Sequence, residues 1–162
     1  KKGIEAFDKH DYTSSTYLFN DILKNENLFD SIEIGANFYL GSIHGNQGQM
    51  ERALNYFNQS LKLSLEKNCN TYFRRIYYSK ALVFYNTNQL DSSLFFIDKW
   101  QAEIDESNKL TLARSYQLRA FCYSKLNQVI DELNDLKIAL ELMDQVLIDS
   151  KDFHEIQEKN HS

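Results

Sequence analysis

One set of small residues recurs along the chain at nearly constant spacing. Gly3, Gly41, Ala81 and Ala120 are separated by 38, 40 and 39 residues. Three further sets follow the same register: Tyr12, Met50, Leu90 and Val129; Ser15, Ala53, Ser93 and Glu132; and Phe19, Phe57, Ile97 and Leu136. Four aligned columns predict a repeat protein whose repeat is about 40 residues long. In such a protein, each repeat folds into one small unit that packs against the repeats before and after it.

Each repeat has the pattern of two α-helices joined by a polar turn. Apolar residues recur at spacings of three and four residues, and the chain contains no proline, which together indicate an all-helical fold. Small residues allow paired helices to approach closely, while large ones such as Phe57 fill the space beside them. We therefore expect an all-α fold with helices at residues 11–25, 30–46, 49–67, 70–87, 90–105, 109–127 and 129–149.

The register also divides the 162-residue chain. We expect one repeat domain at residues 1–149, with repeats at about 1–28, 29–67, 68–106 and 107–149, and with only the end of the first helix present in the first repeat. Residues 150–162 are polar and are expected to form a tail or a linker. His154 and His161 in this segment are expected to be solvated rather than to bind a metal.

The glycine-rich stretch at residues 41–48 has two interpretations. It could cradle a phosphate group, but such a loop requires a preceding strand and a Gly-Lys-Ser/Thr ending, and this sequence has neither. The register instead predicts that Gly41 packs closely against a neighbouring helix and that Gly48 ends the first helix at a turn.

The second repeat resembles the tetratricopeptide repeat family. Leu40-Gly41, Gly48, Ala53, Phe57 and Leu61 stand at the spacing of that family, and the resemblance extends over about residues 1–145. It implies a right-handed superhelix of antiparallel helix pairs, with about 3.5–4 repeats of 38–40 residues. The departures are the longer repeat, the missing proline and Glu132 at a position for a small residue. An extra helical turn in each repeat would account for the added length.

Composition and motifs argue against several classes of function. The net charge is −5, and no run of Lys or Arg is longer than two residues, so we expect this segment neither to bind nucleic acid nor to insert into a membrane. No motif of an enzyme, a metal site or a cofactor site is present, and we expect no catalysis, no metal and no cofactor. Cys69 and Cys122 lack a CxxC spacing and lie in helical patterns, so we expect buried or half-buried thiols in a reducing, cytoplasmic compartment.

The resemblance implies that a partner binds in a concave groove lined by the first helix of each repeat. Helical geometry selects the residues that follow the small packing positions. We expect the groove to be lined by Phe38, Ser42, Asn46, Arg75, Tyr78, Tyr85, Asn86, Arg114, Gln117 and Phe121, with Gly45, Leu82, Ser124 and Lys125 beside them.

Asn46 and Asn86 occupy the same position in successive repeats. Their amides could hold a peptide backbone, because each can donate one hydrogen bond and accept another. Alternatively, they could simply terminate their helices. Arg75 and Arg114 also recur at one position, and with the neighbouring aromatic residues they suit a peptide that carries an acidic group.

The expected function is a non-enzymatic module that binds a peptide or a protein segment in a regulatory or signalling protein. Residues 77–82 and 91–94 are similar to the receptor domains of Gram-positive peptide-pheromone regulators, which control transcription. The alternative is a scaffold or sensory segment of a multidomain signalling protein. Such a segment could bind a partner or form a homodimer through residues 129–149, where Leu133, Leu136, Leu140, Met143 and Leu147 form an apolar stripe.

Overall fold

The protein folds into helices joined by short turns. A computed structural model describes residues 1–25 and 28–160, with side chains described as far as residue 150. The helices are α1 (Lys2–Asp8), α2 (Tyr12–Leu23), α3 (Asp30–Asn46), α4 (Met50–Glu66), α5 (Phe73–Asn86), α6 (Leu90–Ala102), α7 (Lys109–Lys125) and α8 (Val129–Asn160), with one 3₁₀ turn at Asn70–Tyr72. These described residues contain no strand, and the prediction of an all-α fold is confirmed.

Three helix ends differ from the prediction by three residues or more. The helix expected from residue 70 begins at Phe73, because a 3₁₀ turn precedes it. The helix expected to reach residue 105 ends at Ala102, and the Asp105 carboxylate accepts a hydrogen bond from the Ser107 amide in the turn that follows. Helix α8 continues to Asn160 instead of ending at 149, since no glycine or proline interrupts residues 150–160. The side chain of His154 and the whole of His161 lie outside the described part.

The chain forms two compact units, Lys1–Phe96 and Ile97–Ser162. The first unit contains α1 to α5 and the start of α6, and the second contains the rest of α6 with α7 and α8. The grouping of all repeats into one domain at residues 1–149 stays a prediction.

The turn within each helix pair has the same backbone conformation in all four repeats. His10, Gly48, Asn88 and Asn127 have φ angles of +59°, +75°, +58° and +58°, and they follow the register found in the sequence. The residue after each of them donates its backbone N–H to a carbonyl near the end of the preceding helix, as from Gln49 to His44 at 2.9 Å. The expected role of Gly48 as a turn glycine is therefore confirmed.

Small residues and one large ring form the centre of the first unit. A methyl group added at Gly41 would lie 2.7 Å from the Phe57 ring and 3.2 Å from the Ala53 carbonyl oxygen. Phe57 is only 2% exposed. Two serines of one register column, Ser15 and Ser93, each donate a hydrogen bond to the carbonyl of the small residue twelve positions earlier, at 2.8 and 2.9 Å. These contacts draw the backbones of the paired helices together.

An ion pair joins two helices of the second unit. Arg119 on α7 donates two hydrogen bonds of 2.7 Å to the buried Asp135 carboxylate on α8, and these bonds raise the pKa of Arg119. Gln101 accepts a further bond of 3.1 Å from the same guanidinium group. At the far end of the pair, Lys109 donates to Asp149 at 2.9 Å. Helices α7 and α8 are thus antiparallel.

Candidate functional site

A groove of about 370 Å³ opens in the first unit beside α1, α3, α4 and α5. Of the described residues, the eleven that line it are all uncharged: Phe7, Ser42, Gly45, Asn46, Met50, Phe57, Tyr78, Ser79, Leu82, Val83 and Asn86. Apolar side chains and the polar groups of serine, tyrosine and asparagine therefore share one surface. This combination is typical of sites that bind small molecules or peptide side chains.

A missing side chain helps to open the groove at Gly45. A methyl group added there would meet only the Ala53 Cβ, at 3.7 Å. The same register position carries Phe7 in the first repeat and Tyr85 in the third. A large side chain at position 45 would therefore enter the groove rather than the core.

The two asparagines of the groove differ in their surroundings. The Asn46 side-chain amide donates a hydrogen bond of 3.0 Å to the Tyr12 hydroxyl. The register equivalent of Tyr12 in the next repeat is Met50, and its thioether is only a weak acceptor. Asn46 and Asn86 are also the last residues of α3 and α5. Both interpretations made from the sequence therefore stay open, but Asn46 has a structural bond in any case.

Four of the ten predicted site residues meet in this groove, namely Ser42, Asn46, Tyr78 and Asn86. Phe38 was placed wrongly, because its ring is 7% exposed and packs against Tyr39, Phe57 and Tyr72 in the core. The physical reason is its position three residues before Gly41, which places the two on neighbouring parts of one helix face. That face packs against α4.

The remaining predicted residues lie elsewhere on the surface. Arg75 is exposed on α5 one turn before Tyr78, and Tyr85 is half-buried on the same helix. Neither lines the groove. Arg114, Gln117 and Phe121 are exposed on α7 in the second unit, with Phe121 45% exposed.

Sequence reasoning missed part of the groove wall, including Phe7, Met50 and Ser79. The register held a signal for two of them. Phe7 shares a column with Gly45, and Met50 shares one with Tyr12. A comparison of all equivalent positions in the repeats, rather than of the residues next to the small packing positions, would have predicted both residues as part of the groove.

A buried lysine stands next to the groove residue Ser79. Lys80 is 6% exposed, donates to the Asn58 side-chain oxygen at 2.7 Å, and lies 4.1 Å from the centre of the Phe96 ring. Burial lowers the pKa of Lys80 to about 8. The group does not line the groove, and its contacts are those of a packed structural residue.

Two other kinds of site are absent from the part of the chain that the structure describes. No group of three His, Cys, Asp or Glu side chains is placed there to hold a metal ion. Within the same residues, no helix has both the length and the apolar character needed to cross a membrane.

Similarity to known proteins centres on the second repeat. Residues 34–67, which cover most of α3 and all of α4, match the tetratricopeptide repeat. This chain thus contains a tetratricopeptide repeat, and repeats of this class mediate protein–protein interactions. No curated protein matches the chain. Among solved structures, it is similar to the crystal structure of BtubC (BKLC) from P. vanneervenii, with 10% identity over 89% of this chain and 78% of that chain and a TM-score of 0.48.

Proposed function

We propose that the first unit binds an extended peptide segment of a partner protein in the groove beside α1, α3 and α5. The observation that carries this proposal is the uncharged lining, which combines apolar side chains with amide and hydroxyl groups. A peptide matches it in kind, because its backbone is polar and uncharged while its side chains can be apolar.

The size of the groove limits what enters it. Its volume of about 370 Å³ lies near the lower end of the range for ligand pockets, which is about 300–1,000 Å³. We therefore expect one or two apolar side chains to enter between Phe57, Leu82 and Val83. Asn86 and Tyr78 would bond the peptide backbone, and Asn46 would use its amide oxygen, since one of its two N–H groups already bonds Tyr12.

Arg75 gives the proposed ligand a direction. It is exposed one helical turn from Tyr78, and a guanidinium group pairs well with a carboxylate. An acidic group in the peptide, or its terminal carboxylate, would lie beside Arg75, outside the uncharged groove. For Arg114, Gln117 and Phe121 in the second unit, a part in binding stays a prediction.

We further propose that the domain serves a regulatory or signalling protein of the cytoplasm and performs no catalytic step. No disulfide joins Cys69 to Cys122, which suits a reducing compartment. A short signalling peptide as the ligand, as the similarity to pheromone-type regulators implies, is the narrower form of this proposal.

Binding of the protein to an array of synthetic peptides tests whether the groove is the binding site. The array contains ten-residue peptides with apolar, uncharged centres, each paired with versions that carry Asp or Lys at the centre. We expect the protein to retain uncharged peptides and Gly45→Phe to weaken binding at least tenfold, because the ring fills the groove. The matched control is Ser124→Phe, which changes the same register position in the second unit, outside this groove. It should bind as the unchanged protein does, and weaker binding by this variant would extend the site to Arg114, Gln117 and Phe121.

Thermal melting of each variant separates loss of binding from loss of fold. Equal binding by Gly45→Phe and by the unchanged protein would remove the groove as the site. Retention of only the charged peptides would contradict the uncharged ligand. Asn86→Ala is expected to weaken binding more than Asn46→Ala, since Asn46 is partly committed to Tyr12.

The exposed face of α8 favours a second candidate function, self-association through residues 129–149. The apolar residues predicted to form a stripe there are indeed exposed: Leu133 61%, Leu136 37%, Leu140 61%, Met143 47% and Leu147 58%. Apolar surface of this extent on one helix is typical of contact sites.

A further inference from the structure

The apolar stripe of α8 lies on a face that α7 does not use. With 3.6 residues per turn, Leu133, Leu136, Leu140, Met143 and Leu147 fall within a sector of about 80°. The residues that α7 buries, Asp135 and Ala139, lie beside this sector. Spacings of three and four residues that alternate over the stripe are those of helices that pair side by side.

The stripe is nearly symmetric about Leu140. Leu133 and Leu147 lie seven residues before and after it, and Leu136 and Met143 lie four before and three after. A helix face with this symmetry is complementary to itself when a second copy runs in the opposite direction. Such a contact closes as a dimer with two-fold symmetry, in which both copies use the same surface.

Two charged side chains on one edge of the stripe distinguish the direction of pairing. Lys137 is 76% exposed, and its internal partner Glu141 is 4.0 Å away and 60% exposed, so this internal pair is weak. Asp144 is exposed on the same edge. In an antiparallel pair centred between residues 140 and 141, Lys137 of each copy lies at the height of Asp144 of the other. In a parallel pair in register, Lys137 would instead lie at the height of Lys137 of the other copy, and Asp144 at the height of the other Asp144.

We propose that two copies of this chain associate through α8 in antiparallel orientation, with the two-fold axis between Leu140 and Glu141. The apolar stripe forms the interface, and two Lys137–Asp144 pairs at its edge set the direction. This inference rests on the second candidate function and specifies its partner and geometry. Its surface lies on α8 in the second unit, whereas the proposed peptide groove is lined by residues of the first unit only.

Charge exchange tests the geometry by sedimentation velocity over a range of concentrations. We expect the unchanged chain to dimerise, and Lys137→Asp and Asp144→Lys each to weaken dimerisation about tenfold, since each places two like charges together. An equimolar mixture of the two variants should dimerise again, because every Asp then faces a Lys. The double variant Lys137→Asp/Asp144→Lys should also dimerise.

Three results would overturn the proposal. The unchanged chain could sediment as one copy at every concentration, which would mean that another molecule covers the stripe. The mixture of variants could stay as single copies. Leu140→Lys, whose side chain is exposed and therefore should not affect folding, could leave the dimer intact.

Disulfide trapping provides an independent measure of direction. In a Cys69→Ser background, Leu133→Cys and Leu147→Cys chains should cross-link to each other when mixed and oxidised, whereas neither should cross-link to itself. Self-linking of Leu133→Cys would indicate a parallel pair and would overturn the proposed geometry. Peptide binding by the Leu140→Lys variant separates the two proposals, since loss of the dimer should leave groove binding unchanged.

Discussion

The helix pairs α3/α4 and α7/α8 share a turn conformation but differ in what holds their centres together. In α3/α4, Gly41 lies against Ala53 and the Phe57 ring. In α7/α8, Glu132 and Leu136 stand where Ala53 and Phe57 stand, and Leu136 is 37% exposed.

The last pair is instead joined by the ion pair between Arg119 and Asp135. The comparison teaches that the turn, rather than one particular core, defines the repeat. Close packing between backbones is available where a small residue meets a ring. Where a long acidic residue replaces the small one, the helices can still be joined by a long side chain that reaches across.

The largest expected effect is on the packed pair. Phe57→Ala should lower the free energy of unfolding by about 3–5 kcal/mol, because the ring is 2% exposed and fills the space beside Gly41. Urea unfolding followed by circular dichroism measures the loss. The control is Leu136→Ala at the same register position, for which we expect a loss below about 1 kcal/mol. Similar losses for both variants would contradict the distinction between the two pairs.

In the second unit, loss of one partner of the ion pair should likewise lower the free energy of unfolding. Arg119→Met leaves the Asp135 carboxylate buried without its cation and should cost about 3 kcal/mol. Trp100 is the single tryptophan of the chain and is buried in the second unit, so its fluorescence reports the unfolding there. Arg119→Met/Asp135→Leu removes both charges and should recover most of the loss. A double variant as unstable as the single one would show that the pair matters for packing rather than for charge.

Two glycines of α3 allow the close packing of this helix to be tested with one added methyl group. Gly41→Ala should destabilise the protein by about 2 kcal/mol, because the new methyl group meets the buried Phe57 ring. Gly45→Ala should stabilise it by about 0.5–1 kcal/mol, because the groove leaves room for a methyl group and alanine favours the helix. Thermal melting of both variants measures the two effects. Shifts of the same sign would contradict the close approach at Gly41.

One cation packed between helices in each unit also distinguishes the units, and a change of pH gives the smallest expected effect. The Arg119 guanidinium has a carboxylate partner, whereas Lys80 is hydrogen-bonded to the neutral Asn58. Burial lowers the pKa of Lys80 to about 8 from its ordinary 10.5. Above pH 8 the folded protein therefore releases a proton that the unfolded chain keeps, and stability rises with pH until the unfolded lysine also titrates.

Urea unfolding between pH 7 and 9.5 should show this rise as about 1 kcal/mol per pH unit above pH 8. Lys80→Met lacks the titrating group, and its difference from the unchanged protein isolates the contribution of Lys80. A difference that stays constant over this range would mean that Lys80 keeps its ordinary pKa in the folded state.

The register made much of the fold predictable. The positions that recur every 38 to 40 residues include the small residues at the close helix contacts and the residues of the four turns. Steric fit restricts which residues can stand at the contacts, and a positive φ restricts those at the turns. The Arg119–Asp135 pair was not predictable in this way. Neither residue belongs to a column that the register identified, and many charged residues could pair across a helical interface.

The groove was only partly predictable for a related reason. Ser42, Asn46, Tyr78 and Asn86 do lie beside it, since the angle between successive helical residues is fixed, and their part in binding stays a prediction. Phe38 lies in the core instead, because a large ring near the edge of a helix face turns toward whichever side offers more burial. The hydrogen bond from Asn46 to Tyr12 joins residues 34 positions apart, and sequence spacing alone does not reveal such a bond.

The uncharged lining of the groove has a consequence for the response to salt. Ions in solution weaken attraction between exposed charges over a distance of about 8–10 Å, but they have little to screen where the contacts are apolar or between neutral dipoles. The part of the affinity that comes from the groove would hold nearly constant from dilute buffer to concentrated salt, and only a carboxylate beside Arg75 would add a salt-dependent part. A peptide without that carboxylate would also bind without electrostatic steering, at about 10⁵–10⁶ M⁻¹s⁻¹. The rate at which a ligand leaves would then set how long each complex lasts.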